Sequence, residues 1–248
     1  MTQPSLTSRL SSITIFTPGE LLLGSFLRRR NRFIAECFIN ESEQVVAHVK
    51  STGRMTELLQ EGATVILRRF PPSKTRKTLF DLVKVYLNDT LISIDTLIPN
   101  HLMYEAFLQG VIPSFEKNSI TVKREVVFGN SRFDIEITDK LTNRKTYVEV
   151  KSVTLCINGK ALFPDAPTKR GTKHVLELIE VVKSGHDAYV VFVPQRNDVE
   201  SFSTNTVIDP DFTAAVVKAR DAGVQVLCYC CEVSESAISL LREVPVEL

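Results

Sequence analysis

The sequence predicts a mixed α+β protein in two parts, a small β-barrel followed by an α/β domain in which helices pack on a mixed sheet. Two observations carry that prediction. Strand-like segments fill the chain from Glu20 to Asp95, and behind them helical periods begin to alternate with strands. The charge changes sign at the same place: 13 Lys and Arg oppose 9 Asp and Glu through Asp95, a surplus of +4, whereas 17 oppose 20 from Thr96 onward, a deficit of 3. The expected division is therefore 1–95 and 96–248.

In the first part, Arg32 to Asn40 alternates, and Gln44 to His48, Thr64 to Arg69, Thr78 to Leu87 and Leu91 to Asp95 follow as short strands. A lone helical stretch, Met55 to Gln60, comes after the early strands. That order suits a small closed barrel of the OB kind, whose open face and loops bind oligonucleotides. In the second part, Ile98 to Gln109 reads as a helix ending at Gly110. Strands follow over Ile120 to Phe128, Ser131 to Thr138 and Thr146 to Leu155. Val175, Leu178, Ile179 and Val182 recur at helical spacing ahead of Gly185. Ala188 to Val193 is a buried strand. Asp209 with Pro210 gives a capping residue and a proline at the first helical position, opening a helix that stops near Gly223, and Val224 to Cys230 is the last strand.

Composition narrows the class. Hydrophobic residues make up 44% and charged residues 24%, enough to bury a core without staples. The longest apolar runs are a few residues, far short of the roughly 20 that cross a bilayer. The first residues, rich in Ser and Thr with Arg9 the only charge before Glu20, read as a terminal extension. Five cysteines, three of them crowded at Cys228, Cys230 and Cys231, read as reduced thiols in a cytoplasmic protein. Cys228 and Cys231 have CxxC spacing, but no second Cys or His pair stands at zinc-site distance.

The chemistry is expected on two strands. Phe133, Ile135 and Ile137 alternate with Arg132, Asp134 and Glu136, which places Asp134 on the face opposite the apolar set. Glu149 and Lys151, two apart, share a face of the next strand. Two carboxylates and an ammonium close together suit Mg²⁺ or Mn²⁺ at Asp134 and Glu149, with Lys151 beside the scissile phosphate. The spacing of Asp134 with Glu149-Val150-Lys151, and the order of elements around it, resemble the PD-(D/E)xK nuclease superfamily, although Phe133 stands where that pattern has proline. A further acid often completes such sites; Glu105, on the preceding helix with His101 and Gln109, is the first choice as a third metal ligand and Glu125 the rival.

Basic residues are expected to meet nucleic acid. Arg28, Arg30 and Arg32 lie before and into one strand, Arg54 follows another, and Arg76 and Lys77 join two later ones. Phe33, Phe70 and Phe80 are candidates for stacking bases. In the second part, Lys169, Arg170, Lys173 and His174 stand in a proline-rich loop ahead of a helix N-terminus, a rim suited to phosphate, with Asp165 as a turn cap.

The string FPDAPTKRGTKH, together with KREVVFGNSRFD, YVEVKSVTL, STGRMTELL and DTLIPNHL, resembles the sugar fermentation stimulation protein A family over nearly the whole chain from about Phe26. The resemblance implies an OB domain, a nuclease-like domain, DNA binding with little sequence preference and a role in regulating sugar-utilisation genes. Single- and double-stranded DNA are both open as partners, and so is the oligomeric state, a homodimer included. Metal-dependent cleavage of DNA is the rival expectation. Lys50-Ser51, where the family has Pro-Asn, and Ser73-Lys74, where it has Asn-Pro, are departures confined to barrel loops.

Overall fold

The computed structural model describes residues 10–248 apart from 41 and 52. Six strands form the front sheet: β2 (Glu20–Asn31), β3 (Ile34–Ile39), β4 (Glu43–Val49), β5 (Thr64–Arg69), β6 (Phe80–Leu87) and β7 (Thr90–Ser93). Their order is β4-β3-β2-β5-β6-β7, and a parallel pairing of β4 with β6 closes the sheet into a barrel. Phe26, Cys37, Val65, Leu67 and Val85 fill its interior. Met55, Leu58 and Leu59 plug it between β4 and β5. They do so from a single turn, in which the Met55 carbonyl accepts from the Leu58 and Leu59 amides, and not from the expected helix to Gln60. Met55 itself has φ +48°, a conformation that cannot propagate a helix.

One strand differs from expectation. The arginine run lies inside β2, which turns only at Arg32 and Phe33. β2 is half-exposed on both faces for most of its length, so it carries no clean alternation to read.

The second sheet has seven strands in the order β1-β16-β15-β13-β10-β9-β8. These are β8 (Ile120–Phe128), β9 (Ser131–Asp139), β10 (Lys145–Val153), β13 (Asp187–Pro194), β15 (Gln225–Val233) and β16 (Ala237–Glu243), joined at one edge by β1 (Thr14–Phe16). The centre, β10-β13-β15, is parallel and the flanks are antiparallel. A small sheet of β11 (Cys156–Ile157), β12 (Lys160–Phe163) and β14 (Ser201–Thr204) lies beside it. The terminal-extension reading covers residues 1–9, outside the described residues, but it ends by Leu10: Leu10 and Ile13 are buried and β1 pairs with β16.

Helix α1 (Ile98–Leu108) packs Leu102, Met103, Ala106 and Phe107 into one core, which the barrel's Ile66, Val83 and Leu91 share. Helices α2 (Lys169–Lys183) and α3 (Pro210–Asp221) cover a second core. Asp209 caps α3 by accepting from the Phe212 amide at 2.9 Å, and its other oxygen accepts the Thr168 amide at 2.7 Å. Thr168 in turn caps α2. One carboxylate thus ties both helix starts together. The barrel is docked by polar contacts as well: Lys84 donates to the Glu235 carbonyl at 2.5 Å, and Ser93 to Gln195 at 2.8 Å.

The architecture is an OB-type barrel followed by an α/β domain of the PD-(D/E)xK kind. All five cysteines are free, four of them buried. Among the described residues no helix is long and apolar enough to cross a membrane.

Candidate functional site

A cleft of about 500 Å³ opens where the barrel meets the second sheet. Its floor is built by a failure of ladder pairing. The β9–β10 register stops at Ile135 opposite Val148, and the Asp134 carboxylate takes the place of backbone, accepting the Val150 amide at 2.8 Å. Asn100, in the first turn of α1, donates to the other oxygen at 2.6 Å. The same break explains a correction. Phe133 does not share a core with Ile135 and Ile137; it packs with Tyr147 on the side covered by α2 and α3, while Glu136 is buried against Lys145.

Glu149 and Lys151 share a face as their spacing requires. Lys151 Nζ lies 2.5 Å from Glu149 Oε1, and His174 Nδ1, arriving from α2, lies 2.7 Å from that same oxygen, an arrangement in which the imidazole N–H donates. The other oxygen, Oε2, is buried and has no hydrogen-bond partner, although Glu149 is only 4% exposed. Burial, then the charge of Glu149, pushes the Asp134 carboxyl up to about 6. Burial pushes Glu149 the same way, but the hydrogen bonds and charge of His174 and Lys151 win and hold it below the usual carboxylate range.

Among the described residues no group of three or more His, Cys, Asp or Glu side chains forms a ready cation cluster. Two carboxylates converge, and the expected third does not. Glu105 points along α1 to Gln109, accepting from its side chain at 3.2 Å, and takes no part in the cleft, because five residues along a helix turn it away from Asn100. Glu125 does line the cleft. It stands between the registered pairs Arg124–Ile135 and Val126–Phe133 with φ +55°, held by Arg132 at 2.9 Å. A mid-strand glutamate in the left-handed region is strained, which the paired neighbours on either side sustain.

The expected basic residues divide into three groups. Arg28 and Arg30 are engaged with the fully buried Glu36. Arg76 is likewise held, 2.5 Å from the fully buried Asp81 and stacked 3.6 Å above Phe70, while Arg68 covers the same ring at 4.3 Å. Phe70 is thus enclosed by guanidinium groups and Phe80 is in the core, leaving Phe33, 51% exposed, as the ring open to solvent. Lys77 and Lys169 are exposed, and Lys173 sits 3.6 Å from Glu177. Arg32, Arg54, Arg170 and His174 line the cleft.

Lys169 to His174 belong to the first turns of α2 and not to a loop ahead of it. The apolar period begins only at Val175, so the polar opening turns carry no periodic signal. Asp165 packs against Gly53, where a Cβ would come within 2.5 Å of its carboxylate. The sequence pattern assigns no site role to Asn100, or to Arg132 beyond its place on the polar face; Asn100 lies inside the string DTLIPNHL and Arg132 inside KREVVFGNSRFD.

Comparison with known proteins agrees with this arrangement. Residues 27–94 match the SfsA N-terminal OB domain, and residues 97–237 match the sugar fermentation stimulation protein RE domain. A sugar fermentation stimulation protein homolog of Clostridium botulinum is 46% identical over 228 residues, covering 92% of this chain and 97% of that protein. One from Alkaliphilus metalliredigens is 44% identical over 233 residues, covering 94% and 99%. A solved structure described as Pyrococcus furiosus SfsA in complex with Ca²⁺ superposes with a TM-score of 0.83 at 27% identity, covering 93% of this chain and 97% of that one. The chain belongs to the sugar fermentation stimulation protein family.

Proposed function

We propose that this protein binds DNA with low sequence preference and holds a divalent cation, Mg²⁺ or Mn²⁺, at Asp134 and Glu149 in the cleft. The observation that carries the reading is Glu149 Oε2, a buried carboxylate oxygen with no partner, beside an Asp134 whose carboxyl is already raised by burial and then by that neighbour's charge. Such an oxygen costs free energy unless a cation or a hydrogen-bond donor meets it, and beside a second carboxylate a cation offsets both charges. The calcium complex of the Pyrococcus relative is in keeping with hard-cation chemistry at this fold.

When bound, the cation supplies positive charge to a phosphate oxygen and acidity to a coordinated water. Asn100 and the Val150 amide orient Asp134, His174 orients Glu149, and Lys151 adds a cation where phosphate charge would accumulate. Glu125, lining the same cleft, is the third carboxylate within this reading. The lysine favours a second reading, an active metal-dependent DNA endonuclease. Low-preference DNA binding suits a regulatory role in sugar-utilisation genes, and buried free thiols suit the cytoplasm.

Incubation with single-stranded, duplex and branched DNA, in Mn²⁺ or in EDTA, tests the reading. DNA retained without strand scission is the outcome for a binding platform. Mn²⁺-dependent nicking lost in both Asp134→Asn and Lys151→Ala assigns an enzyme. Failure to retain any of the three DNAs overturns DNA binding altogether.

A further inference from the structure

Several features bear on which form of DNA the cleft admits. Its floor is recessed: Glu149 is 4% exposed, below walls contributed by the barrel on one side and by α2 on the other. A volume of about 500 Å³ falls in the range of roughly 300–1,000 Å³ that takes one small organic molecule, room for about one or two nucleotides.

The barrel wall is fastened. The Arg29 guanidinium donates to four backbone carbonyls, those of Gly53 at 2.7 Å, Arg54 at 3.0 Å, Ser51 at 2.7 Å and Arg32 at 2.6 Å. One side chain thereby ties the β2–β3 turn to the segment after β4, and Gly53 seats that segment on Asp165 across the cleft. The side chains this wall presents are Arg32 and Arg54, both exposed and lining the cleft. Neither forms a salt bridge among the described residues, in contrast to Arg28, Arg30, Arg68 and Arg76. Arg170 faces them from α2, and the exposed Phe33 follows Arg32 in the same turn.

We propose that the cleft takes one DNA strand, with Arg32, Arg54 and Arg170 on its phosphates and Phe33 stacking a base at the lip, so that a single-stranded segment or overhang is its ligand and an intact duplex is not. Unpaired cations tracking a backbone, with an aromatic platform beside them, are the means by which proteins hold single strands. The proposal rests on the DNA-binding reading and specifies its substrate. It assigns the barrel a part in the site itself, because two of the three phosphate-facing arginines come from it.

Fluorescence anisotropy with a labelled short single strand, the matching blunt duplex and a duplex with an overhang, each with and without Mn²⁺, tests it. The single strand and the overhang are expected to bind about tenfold more tightly than the blunt duplex. Arg32→Ala with Arg54→Ala should remove about tenfold from single-strand affinity and leave duplex affinity nearly unchanged. Arg29 grips the carbonyls of these residues and not their side chains, so the truncations keep the wall in place; Phe33→Ala, at an exposed ring, is the independent variant, with about fivefold loss expected. A blunt duplex that binds as tightly as the strand, or arginine variants that weaken both equally, would overturn the single-strand proposal while leaving DNA binding intact. No binding to any of the three would remove both.

Discussion

Two buried acids of the barrel and the acidic pair in the cleft are treated in opposite ways. In the barrel, Glu36 lies between Arg28 and Arg30, and Asp81 is met by Arg68, Arg76 and Lys50, so both of these fully buried charges have cations around them. In the second sheet the half-buried Asp134 lies beside the buried Glu149, Lys151 is the one lysine or arginine paired with them among the described residues, and one Glu149 oxygen is left without a partner. The difference separates structure from site: compensated acids hold a fold together, whereas under-compensated acids cost stability that a ligand can return.

Breaking the compensated side should have the largest effect. Asp81→Ala leaves Arg68, Arg76 and Lys50 facing one another at a buried position, and a loss of about 3–5 kcal/mol is expected, read as a lower urea midpoint. An unchanged midpoint would mean that the cluster is solvated and the contrast false.

On the other side, removing a charge should help. Asp134→Asn relieves the repulsion with Glu149 and keeps an oxygen for the Val150 amide, while the Asn100 amide can turn to accept. The metal-free variant should melt higher, by about 2–4 °C for each kcal/mol relieved. The pH dependence follows in sign. A carboxyl raised to about 6 binds its proton more tightly in the folded state, so its contribution is intact at low pH and lost as pH rises from its ordinary value through about 6. The advantage of Asp134→Asn should therefore grow across that window and level off above it; an advantage that is flat with pH would place the charge elsewhere.

How far the sequence showed this contrast depends on which signal each residue carries. The placement of Glu149 and Lys151 on one face follows from period two, and the caps at Asp209 and Gly110 follow from turn chemistry; these were legible. The partners of Arg28, Arg30 and Arg76 were not, since Glu36 and Asp81 sit in alternating strands where a polar residue normally faces water. The Asp134 face was half legible: alternation points it away from Ile135 and Ile137, yet the broken ladder at Ile135 moves Phe133 to the other core. Glu105 and Asn100 both lie on α1, and only the docking angle of that helix decides between them.

The smallest expected effect belongs to the barrel surface. Arg76 is committed to Asp81 and Phe70, so its removal mixes stability with binding, whereas the exposed Lys77 is a cleaner probe. Lys77→Ala should lower the slope of log affinity for DNA against log salt by about 0.9 if it contacts one phosphate, equally for all sequences. An unchanged slope would take this lysine out of the interface.

The central claim, that the under-compensated pair awaits a cation, is tested most directly by calorimetric titration of Mn²⁺ into the wild-type protein and Asp134→Asn. One saturable binding event in the wild type, absent from the variant and accompanied by a higher melting temperature, is the result predicted. No binding at millimolar Mn²⁺ would contradict it and leave Asp134 and Glu149 as structural carboxylates.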